Sequence, residues 1–498
     1  MNVNPITRLD YPDPDVIRVE DTYYMVSTTM HFMPGCEILQ SFDLVHWEHA
    51  TYVYETLDHT DAQQLKSGQN IYGQGMWAAS LRYHEGRFYI CFVANDTRKT
   101  YLYTSEKIDG PWKKQLIEGF YHDGSLLFDE DGRNYIVYGN DEIWITELNE
   151  DLTAPKKDGL HRLLVSDHKN PELGYEGSHI QKINGYYYIF LIHSLRDRWM
   201  RTEACFYSDS LEGEFTGGDV LCDDRGYCGQ GVAQGGIVDT PDGKWYAMLF
   251  QDSGAVGRLP ILLPVTWKDH FPVFGQNGHV PEEIEVHSTR PGYIYQPLVG
   301  SDDFCNGLLP RWQFNHDPDP RYYHLDALQG TYTITTREVC TELTQAVNTL
   351  TQRMSYPSCA AEVTVDASAL KEGDVAGLCA LQGCYAAVGI TKHHGKYEVL
   401  MLDKKEDGIL DMTEGTVVES HQMDFRLEAD FCNMKDEARC YYRVNKGDWL
   451  PIGNVHKLYF KLDHFTGCRF GLFCYAAEET GGSACFRDFK YYDVDEIS

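Results

Sequence analysis

Apolar and polar residues alternate with a period of two in short runs along the chain, and clusters of Gly, Asn, Asp and Pro separate the runs. Half-buried strands and turns give this pattern, whereas helices repeat their apolar positions every three or four residues. In the first half one run returns five times around a tyrosine: Tyr24 (DTYYMV), Tyr89 (GRFYIC), Tyr135 (GRNYIV), Tyr188 (GYYYIF) and Tyr246 (GKWYAML). Successive tyrosines lie 65, 46, 53 and 58 residues apart. Repeats of roughly 40–50 residues made of short strands belong to β-propellers, each repeat forming one four-stranded blade. The five copies therefore predict five blades. The first strand of every blade lines the central channel, so residues at equivalent register converge there from distant parts of the sequence.

The frame stops after Leu259–Gly275, and the stretch to about Gly300 carries Pro281, Pro291 and Pro297, which marks a linker. Alternation then resumes without the five-fold frame, as in GTYTITT (Gly330 to Thr336) and AAEVTVDA (Ala360 to Ala367), and Asn445-Lys446-Gly447-Asp448 has hairpin-turn chemistry. At 498 residues the chain exceeds one ordinary core. The reading is an all-β protein: a five-bladed β-propeller over residues 1–295 followed by a β-sandwich over 296–498.

A formal net charge of −32 argues against nucleic acid or an anionic membrane surface as a partner, because both demand a basic face. A neutral sugar is not repelled. The first residues, MNVNPITRLDYPDPDV, carry no signal-peptide pattern, and no run of about 18 apolar residues occurs. Fifteen cysteines, an odd number without a C-x-x-C pair, are expected to be buried free thiols. A cytoplasmic location is expected.

Three acids stand eleven or twelve residues before three of the tyrosines: Asp13 in Y-P-D-P, Asp123 in H-D-G-S and Glu176 in Y-E-G-S. At a common register they are expected to face one another in the channel. Such a set suits glycosidic bond hydrolysis, which needs one carboxylic acid to protonate the leaving oxygen and one carboxylate on the other face of the sugar. A third acid nearby raises and orients the pKa of the proton donor. Trp77 occupies the corresponding place in the second repeat and offers a flat platform for a sugar ring.

The texts YPDPD, WAASLRYHEGRFY, HDGSLLFDEDG, YEGSHIQKINGYYY and GGIVDTPDGKWY resemble the blade starts of glycoside hydrolase family 43, over essentially the whole chain. The region from Ser301 to Ser498 is similar to the concanavalin-like jelly roll of that family's β-xylosidase branch. The resemblance implies an inverting exo-hydrolase of xylo-oligosaccharides or arabinofuranosides. It implies Asp13 as general base, Asp123 as the tuning acid and Glu176 as general acid. It also implies Arg258 as a contact to sugar hydroxyls and Phe32 as part of an aromatic pocket loop, here altered by Met33. Many relatives hold a calcium or water cluster at the channel centre with a histidine of the fifth blade. Gln234 stands at the comparable position, so calcium is the one candidate cofactor and Gln234 its candidate ligand, although calcium takes 6–8 oxygens. Asp303 and Asp488 are a second candidate calcium pair, in the sandwich. The stretch His464-Phe465-Thr466-Gly467 resembles a sandwich loop that closes the pocket.

The expected partner is a small oligosaccharide, with homo-oligomerisation left open. Two other readings stay in view: hydrolysis of an arabinan, galactan or fructan, and a non-catalytic carbohydrate-binding propeller, which would need no proton donor opposite a water activator.

Overall fold

The computed structural model describes residues 3–413 and 415–493, so the outer limits expected for the two domains, 1 and 498, lie outside the described residues. Among the described residues there is no α-helix, only strands, turns and four short 3-10 segments. Five four-stranded antiparallel sheets form the first domain, each a simple meander, and they span Asp15 to Phe274. Their first strands are Asp15–Val19, Met76–His84, Ser125–Phe128, Glu176–Ile183 and Val232–Asp239. Each packs against the first strand of the next blade, and the fifth packs against the first, which closes the ring.

The second strands explain why the tyrosine frame is so apolar. Phe92 and Val93 in the second blade, and the run from Tyr187 to Ser194 in the fourth, are buried whichever way their side chains point. A blade's inner strands meet neighbouring blades on both faces, so they read as near-continuous apolar runs. Among the described residues no strand is exchanged between the last blade and the first. Closure is made instead by the N-terminal segment, where Ile6 N–H donates to Pro260 O (2.8 Å) and the Asn4 side chain donates to Leu262 O (2.7 Å). Arg18 adds an ion pair to Asp239 across the seam.

The second domain is a two-sheet sandwich. Its seven-stranded sheet contains Gln422–Asp430, in which Met423, Phe425, Leu427 and Ala429 point inward while alternate residues face out. They pack on Leu378, Val388, Ile390, Phe470 and Leu472 of the facing sheet. Each such fully buried aliphatic or aromatic side chain contributes about 1.5–3 kcal/mol. Asn445 and Lys446 adopt positive φ between Glu437–Arg443 and Leu450–Lys457, forming the expected hairpin.

The connector after Phe274 is pinned to the first blade. Thr289 N–H donates to Phe42 O (2.8 Å), and Arg290 pairs with Asp21 (2.7 Å). The domains are also joined by backbone: Phe32–Met33 of the propeller pairs with Gln313–Asn315 and thereby becomes the edge strand of the nine-stranded sandwich sheet. Beside this seam Arg353 of the sandwich reaches Glu37 of the propeller at 2.8 Å, with both side chains buried. Burial pushes the Glu37 carboxyl up, but Arg353 and His49 more than offset this and hold it below the usual range.

Candidate active site

One backbone feature recurs in every blade and sets the register of the site. Asp13, Ala78, Asp123, Gly177 and Gln234 all have positive φ (52°, 32°, 48°, 65° and 62°). Four residues after each stands the partner of that blade's tyrosine: Ile17 opposite Tyr24, Arg82 opposite Tyr89, Leu127 opposite Tyr135, Gln181 opposite Tyr188 and Val238 opposite Tyr246. These five positions are therefore equivalent. Asp13 and Asp123 share that register, but Glu176 and Trp77 stand one residue before it. This corrects the expectation that all three acids occupy one position. The left-handed residue makes a bulge in three of the blades, between Trp77 and Ser80, Glu176 and His179, and Ala233 and Gly236, so counting from the tyrosine alone is ambiguous by one residue.

The corrected register brings out a residue that the sequence reading missed. His122 is the third-blade equivalent of Trp77 and Glu176. Its Nε2 lies 3.4 Å from Glu176 Oε2 and 3.5 Å from Asp123 Oδ2. Asp123 beside it, with Glu176, pushes the imidazole up to about 9 against the opposing effect of burial.

The three acids have different surroundings. Asp13 is buried; its Oδ1 accepts from Arg258 Nη1 (2.9 Å) and its Oδ2 from Thr28 Oγ1 (2.6 Å). Asp123 is buried and accepts from Gly177 N–H (2.9 Å). Burial pushes its carboxyl up to about 6; Glu176 and Asp13 push the same way, and His122 opposes them. Glu176 is more open, its side chain 19% exposed, and its Oε2 accepts from Asn140 Nδ2 (2.9 Å). Gly177, next to Glu176, has no room for a side chain, since a Cβ there would stand 2.7 Å from the Gln234 side chain.

Arg258 is buried, and its Nε and Nη2 have no hydrogen-bond partner among the described residues. Phe465, from the sandwich, covers this guanidinium at 4.3 Å and meets the Trp77 ring at 5.4 Å. Trp77 Nε1 likewise has no hydrogen-bond partner among the described residues. Asp10 aligns the two domains here, because its Oδ1 accepts from Arg258 N–H and its Oδ2 from Gly467 N–H, both at 2.8 Å. The loop expected to reach back from the sandwich is thus packed over Arg258 and against Trp77. Arg201, also missed from sequence, pairs with Asp252 (2.6 Å) and shares the Phe250 ring with Arg258.

Phe32 is elsewhere, which corrects its reading as a pocket wall. Pairing with Asn315 directs its ring into the sandwich, where it is 1% exposed, packs near Leu343, Val375 and Cys379, and is covered by Arg469 at 3.4 Å.

Below the acids the channel is plugged by polar side chains. Arg82 donates to Asp15 Oδ2 (2.7 Å) and Ser125 Oγ (2.7 Å), and the His179 ring meets Asp15 Oδ1 at 3.1 Å. Burial pushes Asp15 up, yet Arg82 and His179 hold it at about 2. A cavity of about 410 Å³ opens beyond the plug, at the opposite mouth, between Arg18, Phe128, Lys182 and Asp239.

As for metal, the Gln234 backbone N–H donates to Glu203 and the Gln234 side chain lies against Gly177; among the described residues Asp303 and Asp488 join no cluster of three His, Cys, Asp or Glu ligating atoms. His122, Asp123 and Glu176 do cluster, within 4.8 Å. One nitrogen and two carboxylates fall well short of calcium's oxygen shell, and within the set His122 Nε2 and Glu176 Oε2 are at hydrogen-bonding distance.

A family model described as glycosyl hydrolases family 43 matches residues 3–272, and one described as the beta xylosidase C-terminal concanavalin A-like domain matches residues 301–492. A beta-xylosidase of Formosa agariphila is 26% identical over 99% of this chain and 89% of its own length. A xylosidase/arabinosidase of Butyrivibrio fibrisolvens is 24% identical over 99% of both chains. A solved structure described as a bifunctional GH43-CE protein of Bacteroides eggerthii superposes with a TM-score of 0.92 at 42% identity over 99% of this chain, which spans 64% of that longer one.

Proposed function

The chain belongs to glycosyl hydrolases family 43 and is a glycoside hydrolase, and on that premise we propose that it removes single xylose or arabinose units from the non-reducing ends of small oligosaccharides with inversion. In this reading Glu176 gives a proton to the glycosidic oxygen, and Asp13 takes one from the attacking water. Asp123 shapes the proton balance of the site. The observation that carries the reading is the convergence of Asp13, Asp123 and Glu176 from three blades, each in a different electrostatic setting. The cover of Phe465 and Trp77 supports attack at chain ends, because it closes one side of the site to a continuing polymer. Arg258, with its unpartnered Nε and Nη2, and Trp77, with its unpartnered Nε1, offer the donors and platform for a terminal sugar.

The relatives named as β-xylosidase and xylosidase/arabinosidase support these two sugars. Fifteen cysteines without a disulfide, ten of them buried, favour a reducing compartment and hence imported oligosaccharides as substrates.

Initial rates on chromogenic β-D-xylopyranoside and α-L-arabinofuranoside test the reading, with proton NMR of the first-formed anomer. Turnover with inversion that falls at least about a hundredfold in Asp13→Asn is expected. A retained anomer, or full activity in that variant, overturns it.

A further inference from the structure

We infer that His122 is the proton-positioning partner of Glu176, the two side chains holding between them the proton that the leaving group receives. The inference rests on the reading of Glu176 as general acid.

The geometry is specific. His122 projects from the same register position as Glu176, one blade earlier, and its Nε2 is 3.4 Å from Oε2 of that acid. The ring faces Trp77 on its other side, at 6.3 Å between centroids. The charged groups around the pair are Asp123, in direct contact with His122, Asp13, which acts on it at longer range, and Arg201, which is felt by Glu176 and Asp13. Asn140 holds the same Glu176 oxygen that His122 approaches. Asp123 therefore opposes loss of a proton from the pair, whichever partner carries it, because departure would leave a second uncompensated negative charge beside it.

While water fills the site the proton stays on His122, where Asp123 beside it holds it. A bound sugar displaces water, and separated charges cost more in the drier site than a neutral pair does. The proton then moves from Nε2 to Oε2, leaving neutral imidazole and a carboxylic acid. Glu176 transfers that proton to the glycosidic oxygen as the bond from the anomeric carbon breaks. Water adds to that carbon and gives its proton to Asp13. After product release Asp13 loses this proton to solvent and His122 regains one, so the net reaction consumes one water and no other proton.

The test compares xylobiose, whose leaving alcohol needs the proton, with 2,4-dinitrophenyl β-xyloside, whose leaving group does not. In His122→Asn the basic limb of kcat/KM on xylobiose is expected to move down by about one pH unit or more, with a loss at pH 8 at least about tenfold greater than on the dinitrophenyl substrate. An unmoved basic limb, or equal losses on both substrates, overturns the inference. Glu176→Gln separates this from the underlying reading: it should lose xylobiose selectively, and if it loses both substrates equally the general-acid assignment itself falls. Should His122→Asn fail to fold, nitrogen-15 NMR of the imidazole in Asp13→Asn decides the matter, since Nε2 should change from protonated to neutral when xylobiose is added at pH 7. A ring still protonated in that complex overturns the inference.

Discussion

Phe465 lies 4.3 Å over the guanidinium of Arg258, so a residue of the sandwich covers the cation that pairs with Asp13 of the propeller. The pocket is completed across a domain boundary, and the sandwich is part of the site's wall. A cation–π contact of this desolvated kind contributes about 2 kcal/mol. Phe465→Ala is expected to lower kcat/KM on aryl xyloside by roughly ten- to thirtyfold, chiefly through KM, and to lower the melting temperature by only about a few degrees. Steady-state kinetics beside a thermal melt check this.

Gly177 offers a sharper probe of how the backbone aims Glu176. Its φ of 65° and the 2.7 Å approach of the Gln234 side chain leave no space for a methyl group. Gly177→Ala should cost about 1–3 kcal/mol of stability and displace Glu176. The expected result is a kcat loss of about a hundredfold in protein that still melts cooperatively, measured by kinetics and calorimetry on the same sample.

The Arg353 and Glu37 pair carries a different prediction, because both charges are buried at the domain seam. Removing one partner strands the other. Arg353→Ala should destabilise the protein by about 3–5 kcal/mol in urea unfolding, and adding Glu37→Gln should recover part of that loss.

Acid sensitivity should arise from the same seam. His31 and His316 are buried with His464 and Tyr72 in one aromatic cluster. Burial holds His31 and His316 well below the usual histidine value and His464 at about 3. These groups are neutral when folded but take up protons when unfolded below about pH 6.5, so stability falls as pH drops from 6.5 toward 3. Each histidine removes up to about 1.4 kcal/mol per pH unit in that window. Urea midpoints at several pH values should show this slope, and His31→Phe should flatten it.

Much of the fold is visible in local text. The tyrosine frame repeats because each blade's second strand is buried on both faces, and the sandwich strands alternate because each has one face in water. Candidate acids were also legible, since Asp13, Asp123 and Glu176 precede those strands at nearly constant spacing. The spacing was not sufficient to assign their register. A left-handed bulge residue in the blade start changes the count by one, and with it His122 passed unseen, although Trp77 and Glu176 occupy the same position in neighbouring blades.

The sequence by itself determined the strand content, the number of blades and the order of propeller and sandwich, because these follow from side-chain periodicity over a few residues at a time. Only the tertiary structure decided that Phe32 turns into the sandwich while Phe465 turns into the pocket. The reason is physical: both directions are set by how the two domains bury their mutual surface. Phe32 pairs with Asn315 and Asp10 anchors Gly467, and these are contacts between residues too distant in sequence for any local pattern to report.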